Sequence, residues 1–491
     1  MAITKVFGTE TEFGISMRGV AEFNPVIGSS LLVNGYAAVH LPPVNWDFED
    51  EHPEKDARGY LPFAMAPEVE TTLANVVLTN GARFYVDHAH PEYSTPECVT
   101  LQDLVTHDTA GTLILQRAMA AAEALMPEER EFLVHKNNSD GKGNSYGCHE
   151  NYLMAREVPF RRIAEVLIPF FVTRQVFAGS GKVGSEHGAP EVAYQISQRA
   201  DFFEEEIGLE TTLKRPIINT RDESHADPER FRRLHVIVGD ANMCEMPTYL
   251  KVGTTALILD LIEDDFIDKD LAIESPVAAM QIVSHDITCK TLLRRPDGST
   301  VTPVQVQWEY LELARKWAEG QVPDPEREKL MSEWERILTQ LEIDPLGLGE
   351  DLDWVAKYKM LEGYKDRHGI GWSDPKMRLI DLQYHDLRPE RGLYFKLLSQ
   401  GRVARLTSPD AVEEAVRHPP ENTRAYFRGR CIERFAGSIA AANWDSMVFD
   451  LGEDPLRRVP MMDPLRGTKT HVGDLIDSCD SAAELLDEIA S

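Results

Sequence analysis

The amino-acid sequence predicts an α+β fold, because strand patterns and helix patterns are interspersed along its 491 residues. Period-two alternation of apolar and polar residues predicts strands at 5–17, 83–87, 146–152 and 233–240. Apolar residues at helical spacing predict helices at 106–125, 249–264, 308–319 and 325–340. An apolar stripe along the last helix predicts a surface that faces the core rather than a cofactor. The stripe consists of Leu330, Trp334, Leu338 and Leu341.

The first predicted strand carries two glutamates on one face. Glu10 and Glu12 alternate with Thr9, Thr11 and Phe13, so both carboxylates point to the same side. They are roughly 7 Å apart along the strand, which suits oxygen ligands of one divalent ion or of two neighbouring ions. The alternative is an ordinary exposed strand face, where such pairs are common.

Residues 24–60 interrupt this pattern. A glycine- and serine-rich stretch, the pair Pro42-Pro43 and an acidic run predict a long loop with one short helix. Loops of this length in compact domains are usually functional or disordered, and the aromatic residues Trp46, Phe48 and Tyr60 argue against disorder. We therefore expect an inserted loop near a functional site.

The strand 83–87 is the most informative segment. Arg83, Tyr85 and Asp87 share one face, while Phe84 and Val86 take the buried face. A carboxylate at a strand end, flanked by a cation and a phenol, is typical of an active site. The alternative is an amphipathic strand with a solvated polar face, and the segment alone does not separate the two.

Later strands add further polar groups. Strands at 146–152 and 233–240 carry His149 and His235 at alternating positions. Carboxylates with an occasional imidazole suit Mg²⁺ or Mn²⁺ that bridges nucleotide phosphates. The candidate carboxylates are Glu10, Glu12, Asp87, Glu92, Glu97 and Glu150. Near residue 401 the pattern restarts, which predicts a catalytic domain over 1–400 and a small C-terminal domain over 401–491.

Composition excludes several functional classes. A content of 43% hydrophobic and 27% charged residues is typical of globular proteins. No apolar run reaches the roughly 18 residues of a membrane span, and no signal-peptide core follows Met1, so we expect a cytoplasmic protein without membrane contact. The six cysteines lack a Cys-x-x-Cys pair, which predicts reduced, buried thiols.

A formal net charge of −30 argues against nucleic-acid binding. An anionic partner would need a local basic groove. Clustered arginines could line such a groove, whereas the alternative, which is the better interpretation for most of them, is an ordinary solvated face of a helix or strand. The clustered arginines are Arg215, Arg221, Arg230, Arg232 and Arg233.

Several of these segments together resemble one known family. The segments are Gly8–Gly14, Asn80–Asp87, His90–Thr95, Lys136–Gly143, Gly147–Tyr152, Arg215–Glu223, Arg233–Asp240, Thr423–Arg430 and Asn443–Phe449. They resemble the ligases and deamidases of Pup, the prokaryotic ubiquitin-like protein, within the carboxylate–amine ligases of glutamine-synthetase type. The resemblance implies a large, curved, mostly antiparallel sheet with helices packed on one face. It also implies a small C-terminal domain that contributes to the nucleotide site.

The resemblance assigns roles to individual residues. Asp87 resembles the family's catalytic aspartate. The residues that resemble its metal-binding set are Glu10, Tyr85 and Glu92, joined by Glu12, His149 and His235. Contacts to ATP are implied for Arg83, Thr95 and Trp444. The implied cofactors are ATP, or ADP plus phosphate, and Mg²⁺.

The family contains two opposed activities. One enzyme ligates Pup to lysines, and the other deamidates the C-terminal glutamine of Pup and removes Pup from pupylated proteins. The hydrolase carries a loop ahead of the catalytic strand that the ligase lacks, and 24–60 resembles it. We therefore expect a hydrolase whose partners are Pup and pupylated proteins. The alternatives are an ATP-consuming Pup–protein ligase and a non-catalytic Pup-binding protein.

Overall fold

The computed structural model describes residues 2–20, 22–40, 44–49, 51–59, 74–127, 130–186, 188–212, 214–452 and 455–490. The strands are β1 (Phe7–Glu12), β2 (Gly14–Arg18), β3 (Asn45–Trp46), β4 (Asn75–Val77), β5 (Arg83–Asp87), β6 (His90–Ser94), β7 (Glu131–His135), β8 (Cys148–Ala155), β9 (Lys182–Val183), β10 (Tyr194–Gln195), β11 (Phe203–Gly208), β12 (Arg215–Asn219), β13 (Phe231–Val236), β14 (Leu293–Arg294), β15 (Thr300–Val301), β16 (Ile439–Ala442), β17 (Ser446–Phe449) and β18 (Arg457–Pro460). The helices are α1 (Pro25–His40), α2 (Leu101–Glu123), α3 (Phe160–Ala178), α4 (Glu245–Glu263), α5 (Pro276–His285), α6 (Pro303–Ala318), α7 (Pro325–Ile343), α8 (Asp353–His368), α9 (Pro375–Tyr384), α10 (Leu393–Ser399), α11 (Pro409–Arg417), α12 (Ala425–Phe435), α13 (Lys469–Ser478) and α14 (Ala482–Ala490).

Ten strands form one sheet in the order β13-β8-β1-β6-β5-β4-β3-β16-β17-β18. Neighbouring strands are antiparallel throughout, except that β16 runs parallel to β3. Helix α1 contacts β5 and β6, α2 contacts β1, and α4 contacts β8. These helices cover the apolar face, so the opposite face is left for polar side chains. The expected α+β fold with a large, mostly antiparallel sheet is confirmed.

The predicted strand at 5–17 is divided in two. Strand β1 belongs to the large sheet, whereas β2 pairs with β7 in a separate two-stranded sheet. The break falls at Gly14, where a Cβ atom would lie 2.4 Å from the Tyr146 hydroxyl and 2.8 Å from the Asn137 side chain. Close approach of these side chains requires glycine there, and the chain changes sheets at that point.

The segment 24–60 is more ordered than the predicted loop with a short helix. Helix α1 takes up 16 residues and buries Leu32, Val33 and Tyr36. The Tyr36 ring packs edge-on against Phe84 of β5, with 6.0 Å between ring centroids. Apolar packing against the sheet therefore stabilises a full-length helix that a glycine- and serine-rich sequence does not predict. Residues 41–43, 50 and 60 of this segment lie outside the described part of the chain.

The predicted helices are present, with ends shifted by a few residues. In α7 the predicted stripe is buried, with Trp334 and Leu338 fully inaccessible. All six cysteines are free and buried, as expected. Every helix among the described residues is too short or too polar to cross a bilayer.

The C-terminal strands extend the large sheet rather than forming a sheet of their own. Strand β16 pairs with β3, and a separate apolar cluster joins Val44, Trp46 and Val77 to side chains of α12–α14. The division at residue 400 stays a prediction.

A buried ion triad also ties the C-terminal segment to the sheet. Glu97 lies 2.7 Å from Nε of Arg424 and also pairs with Arg428. Burial alone would raise the pKa of Glu97, but the two guanidinium groups outweigh it and lower the pKa to about 2. Glu97, which we expected among the metal-binding carboxylates, therefore serves this contact instead.

Replacing Glu97 by Gln should lower the free energy of unfolding by about 3 kcal/mol at neutral pH, because two buried guanidinium groups lose their counter-charge. Since the folded-state pKa is depressed, this stabilisation is complete above the ordinary value of 4.5 and is lost as the pH falls toward about 2. Urea denaturation at several pH values measures the difference. Glu421→Gln, which breaks the exposed pair with Lys469, is the control and should have little effect. A difference that does not shrink in acid would contradict this account.

Candidate active site

The polar face of strands β1, β5, β6 and β8 is assembled by their register. Glu10 lies opposite His149 on one side and Ser94 on the other, and Ser94 lies opposite Arg83. Along β5, Phe84 and Val86 are buried while Arg83 and Tyr85 are half-buried, which confirms the predicted alternation. One cross-strand row therefore holds a cation, a carboxylate and an imidazole.

A second row lies one step further along the strands. Glu92 is opposite Glu12 on β1 and opposite Tyr85 on β5. Asp87 ends β5 opposite His90. The Asp87 side chain is 38% exposed, so a substrate can reach it from solvent. The two rows bring seven of the ten predicted site residues together, and Thr95, His235 and Trp444 lie outside them.

The first group of possible metal ligands is the histidine cluster, which consists of Glu10, His149 and His235. Each offers a ligand atom within 4.8 Å of the others. Asn151 orients the cluster, because its amide donates to Glu10 at 2.7 Å and its oxygen lies 2.9 Å from Nδ1 of His235. Burial holds the pKa of His235 well below its ordinary value, so the ring is neutral. Its buried Nε2 has no hydrogen-bond partner among the described residues.

The second group is the carboxylate cluster, which consists of Glu12, Asp87 and Glu92. Each offers a carboxylate oxygen that lies within 4.8 Å of the others. The backbone N–H of Gly147 donates to Glu12 at 2.8 Å, and His90 lies 3.2 Å from the other oxygen. The Tyr85 hydroxyl donates to Glu92.

The charges within the two clusters indicate which kind of ligand they can bind. Burial, and then the charges of Asp87, Glu10 and Glu12, raise the pKa of Glu92 well above its usual range. Several buried carboxylates are costly together unless a cation neutralises them. An unpartnered neutral imidazole nitrogen and converging carboxylate oxygens are donors of the kind that divalent cations accept. The residues present therefore fit divalent metal ions.

Arg83 is held between two aromatic rings. Its guanidinium carbon lies 3.8 Å from the centroid of Trp46 and 3.9 Å from that of Tyr85. Glu51 lies 3.5 Å from Arg83 and accepts from the Trp46 indole at 2.6 Å. Trp46 and Glu51 were not predicted as site residues, although both fall within the expected inserted loop. The aromatic and acidic residues at 46–51 are the sequence feature that could have identified these two site residues.

A cleft beside the histidine cluster contains two other predicted residues. We call it the Trp444 cleft; its lining includes Phe7, Gly8, Glu10, Thr95, His225, Arg424 and Trp444. The Trp444 ring meets Trp46 edge-on at 5.3 Å between centroids. The Thr95 hydroxyl accepts from the backbone N–H of Thr9 at 3.0 Å, so it also holds β1 beside the end of β6.

One proposed ligand faces the other way. Glu150 is fully buried and forms a two-pronged ion pair with Arg174, with contacts of 2.6 and 2.8 Å. Because it alternates with His149 and Asn151 along β8, it must point into the helical layer. The expectation that Glu150 joins the metal-binding carboxylates is wrong.

The arginines of the predicted groove are largely paired within the protein. Arg230 pairs with Asp463, Arg232 with Asp222, and Arg233 with Glu10 and Glu223. Three of the five guanidinium groups are thus committed within the protein. Arg215 and Arg221 have no ion pair among the described residues.

Comparison with known proteins identifies the family. Residues 5–448 match the family described as Pup-ligase protein. The chain is 54% identical to the depupylase of Acidothermus cellulolyticus, and the alignment covers 98% of each chain. It is 47% identical to the Pup deamidase/depupylase of Mycolicibacterium smegmatis, over 99% of this chain and 100% of the relative. The chain belongs to the Pup-ligase protein family, which confirms the resemblance found in the sequence.

Two solved structures share the fold. One is the complex between the prokaryotic ubiquitin-like protein Pup and its ligase PafA, with a TM-score of 0.82 and 33% identity over 99% of this chain and 94% of that one. The other is PafA in complex with ADP, with a TM-score of 0.74 and 36% identity over 82% of this chain and 89% of that one. The likeness of fold to the first of these structures therefore covers nearly the whole chain.

Proposed function

We propose that this protein is a Pup deamidase and depupylase. It hydrolyses the side-chain amide of the C-terminal glutamine of Pup, and it cleaves the isopeptide bond between Pup and substrate lysines. The observation that carries the proposal is the convergence of Asp87, Glu12 and Glu92 within 4.8 Å on the open face of the sheet. Relatives of 54% and 47% identity, aligned over nearly the whole chain, carry the names depupylase and Pup deamidase/depupylase.

Hydrolysis at both bonds needs only one site. In each case the carbon atom under attack is the side-chain carbonyl carbon of Pup's last residue. A C–O bond forms, the C–N bond breaks, and either ammonia or a lysine amine leaves. Asp87 either attacks the carbonyl as a nucleophile or removes a proton from the attacking water. Its exposed position at the end of β5 permits both roles.

The histidine and carboxylate clusters would hold Mg²⁺, and Tyr85 adds a phenol beside Glu92. Bound Mg²⁺ supplies positive charge that polarises a carbonyl or phosphoryl oxygen. Asn151 donates to Glu10 and Gly147 donates to Glu12, which orients both glutamates. Because the pKa of Glu92 is raised, binding of a cation there would be coupled to loss of its proton.

ATP, or ADP with phosphate, would occupy the Trp444 cleft. Trp444 would offer an aromatic surface to the base, and Thr95, which follows β6, lines the same cleft. Arg83, in the same cross-strand row as Glu10, would supply a positive charge for the phosphates. The PafA complex with ADP supports a nucleotide in this fold. A cytoplasmic location stays a prediction.

A single incubation tests the proposal against ligation. Pup ending in glutamine is mixed with the protein, Mg²⁺ and ATP, and the mass of Pup and the ADP formed are followed together. We expect the mass change of amide-to-acid conversion over many turnovers without matching ADP formation. The ligase alternative predicts stoichiometric ADP and growth of conjugates. Tight binding of Pup without turnover would indicate a non-catalytic protein.

The nucleotide site makes a separate prediction. Trp444→Ala should weaken ADP binding roughly tenfold, because stacking of a base on an aromatic ring is lost. Titration calorimetry with ADP and Mg²⁺ measures the change. Trp308→Ala, which alters a half-buried ring outside the cleft, is the control and should leave ADP affinity unchanged. Unaltered affinity in the Trp444 variant would place the base elsewhere.

A further inference from the structure

Two buried arginines meet at Ser145, next to the carboxylate cluster. The Nη2 group of Arg215 donates to the Ser145 carbonyl at 2.7 Å, and Nε of Arg199 lies 3.3 Å from the Ser145 hydroxyl. Arg199 is 1% exposed and Arg215 is 8% exposed. Two residues further on, Gly147 donates its N–H to Glu12. The arginine pair therefore borders the site on the Glu12 side, whereas the Trp444 cleft lies on the Glu10 side.

These guanidinium groups form no direct ion pair with any residue that the structure describes. Arg199 instead donates to the backbone carbonyls of Ile237 and Gly239. Burial, and then the charge of Arg215, lower the pKa of Arg199 to about 10. The charges of Glu12, Asp240 and Glu204 compensate the two arginines only in part, because none of these carboxylates forms a direct ion pair with either guanidinium group. Two adjacent buried cations without a direct ion pair are unfavourable, so the pair suits an anionic ligand.

Arg215 has donor capacity left for such a ligand. Its buried Nε has no hydrogen-bond partner within the described ranges. The Phe202 ring lies 5.7 Å from its guanidinium carbon and supports the side chain from one side. Arg199, in contrast, is already held by three oxygen atoms. We therefore regard Arg215 as the ligand-facing member and Arg199 as its positive neighbour.

We propose that Arg215, supported by Arg199, binds the C-terminal α-carboxylate of the polypeptide whose last side chain is hydrolysed. This inference rests on the proposed function. The last residue of Pup keeps its free α-carboxylate whether its side chain ends in an amide or is linked to a lysine. Glutamine within a chain has no such group. Arginine matches carboxylate geometry with paired donors, so Arg215 lets one site accept both substrates and reject internal glutamines.

Amidation of the substrate tests this without altering the protein. Pup ending in glutamine is prepared with a free α-carboxylate or with an α-carboxamide, and ammonia release from the side chain is measured for both. We expect kcat/KM of the wild-type protein to fall roughly 10- to 100-fold with the carboxamide, the range of a lost charge-assisted hydrogen bond. Equal turnover of both substrates would overturn the inference but leave the proposed function standing. Turnover of neither would refute the proposed function.

Arg215→Gln completes the comparison. With the free carboxylate, kcat/KM of the variant should fall by the same factor, mainly through a higher KM. With the carboxamide, kcat/KM of the variant should differ from that of wild type by less than about twofold. Arg215→Lys retains a charge but not the paired donors, so its kcat/KM with the free carboxylate should lie between those of wild type and Arg215→Gln. Arg230→Gln, an exposed arginine paired with Asp463, is the matched control. Equal losses with both substrates, or an equal loss of ADP affinity, would assign Arg215 to the fold or to a phosphate and overturn the inference.

Discussion

Asp87→Asn should abolish release of ammonia from glutamine-ended Pup, with a loss of at least about a thousandfold in kcat. Asparagine has the same shape but can neither act as a nucleophile nor accept a proton from water. The side chain is 38% exposed and ends a strand whose other residues supply the packing, so the fold should be retained.

The measurement separates chemistry from binding. Ammonia release and cleavage of a pupylated protein should fall together, because both reactions use one carbonyl site, while ADP affinity stays within about twofold of wild type. Asp297→Asn, at an exposed turn between β14 and β15, is the control. A variant that keeps either activity would remove Asp87 from the central role.

Glu10→Gln should weaken binding of a divalent cation by at least about tenfold and should lower activity by a larger factor at limiting Mg²⁺. Burial opposes ionisation of Glu10, but the hydrogen bond from His149 and the charge of Arg233 hold its pKa well below the ordinary value. The carboxylate is therefore already ionised and supplies a full negative charge, which the amide cannot.

Direct titration with Mn²⁺ in the presence of ADP, followed by electron paramagnetic resonance, reports metal affinity independently of turnover. High Mg²⁺ should restore part of the activity of Glu10→Gln but none of that of Asp87→Asn. Glu22→Gln, on an exposed loop, should bind Mn²⁺ like wild type. Wild-type affinity in the Glu10 variant would exclude the histidine cluster as a metal site.

Local patterns predicted the individual strands well. The alternation in β5 placed Arg83, Tyr85 and Asp87 on one face without reference to any other segment, because side-chain direction in a strand follows from backbone geometry alone. The same rule, applied to β8, would have excluded Glu150 once His149 was placed on the site face. That error came from grouping residues by chemistry and not by side of the strand.

Other features depended on contacts between distant segments. The division of the first strand at Gly14 comes from Tyr146 and Asn137, and the helix over 25–40 is stabilised by packing on β5. Trp46 and Glu51 reach Arg83 because β3 lies two strands from β5 in the sheet. Local periodicity contains no information on which strands become neighbours.

By itself, the sequence determined the family, the mixed α and β elements, the polar face of β5 and the residues that carry reactive groups. Tertiary structure alone decided which of those groups meet. Cross-strand register joined Glu10 to His149 and Glu12 to Glu92. Packing between distant segments turned Glu97 and Glu150 into ion-pair partners, and it left Arg215 without an ion pair among the described residues. The physical reason is how far along the chain each effect acts. Backbone geometry directs each side chain locally. Charge pairing and metal coordination depend on distances of a few ångströms between residues that are far apart in the chain.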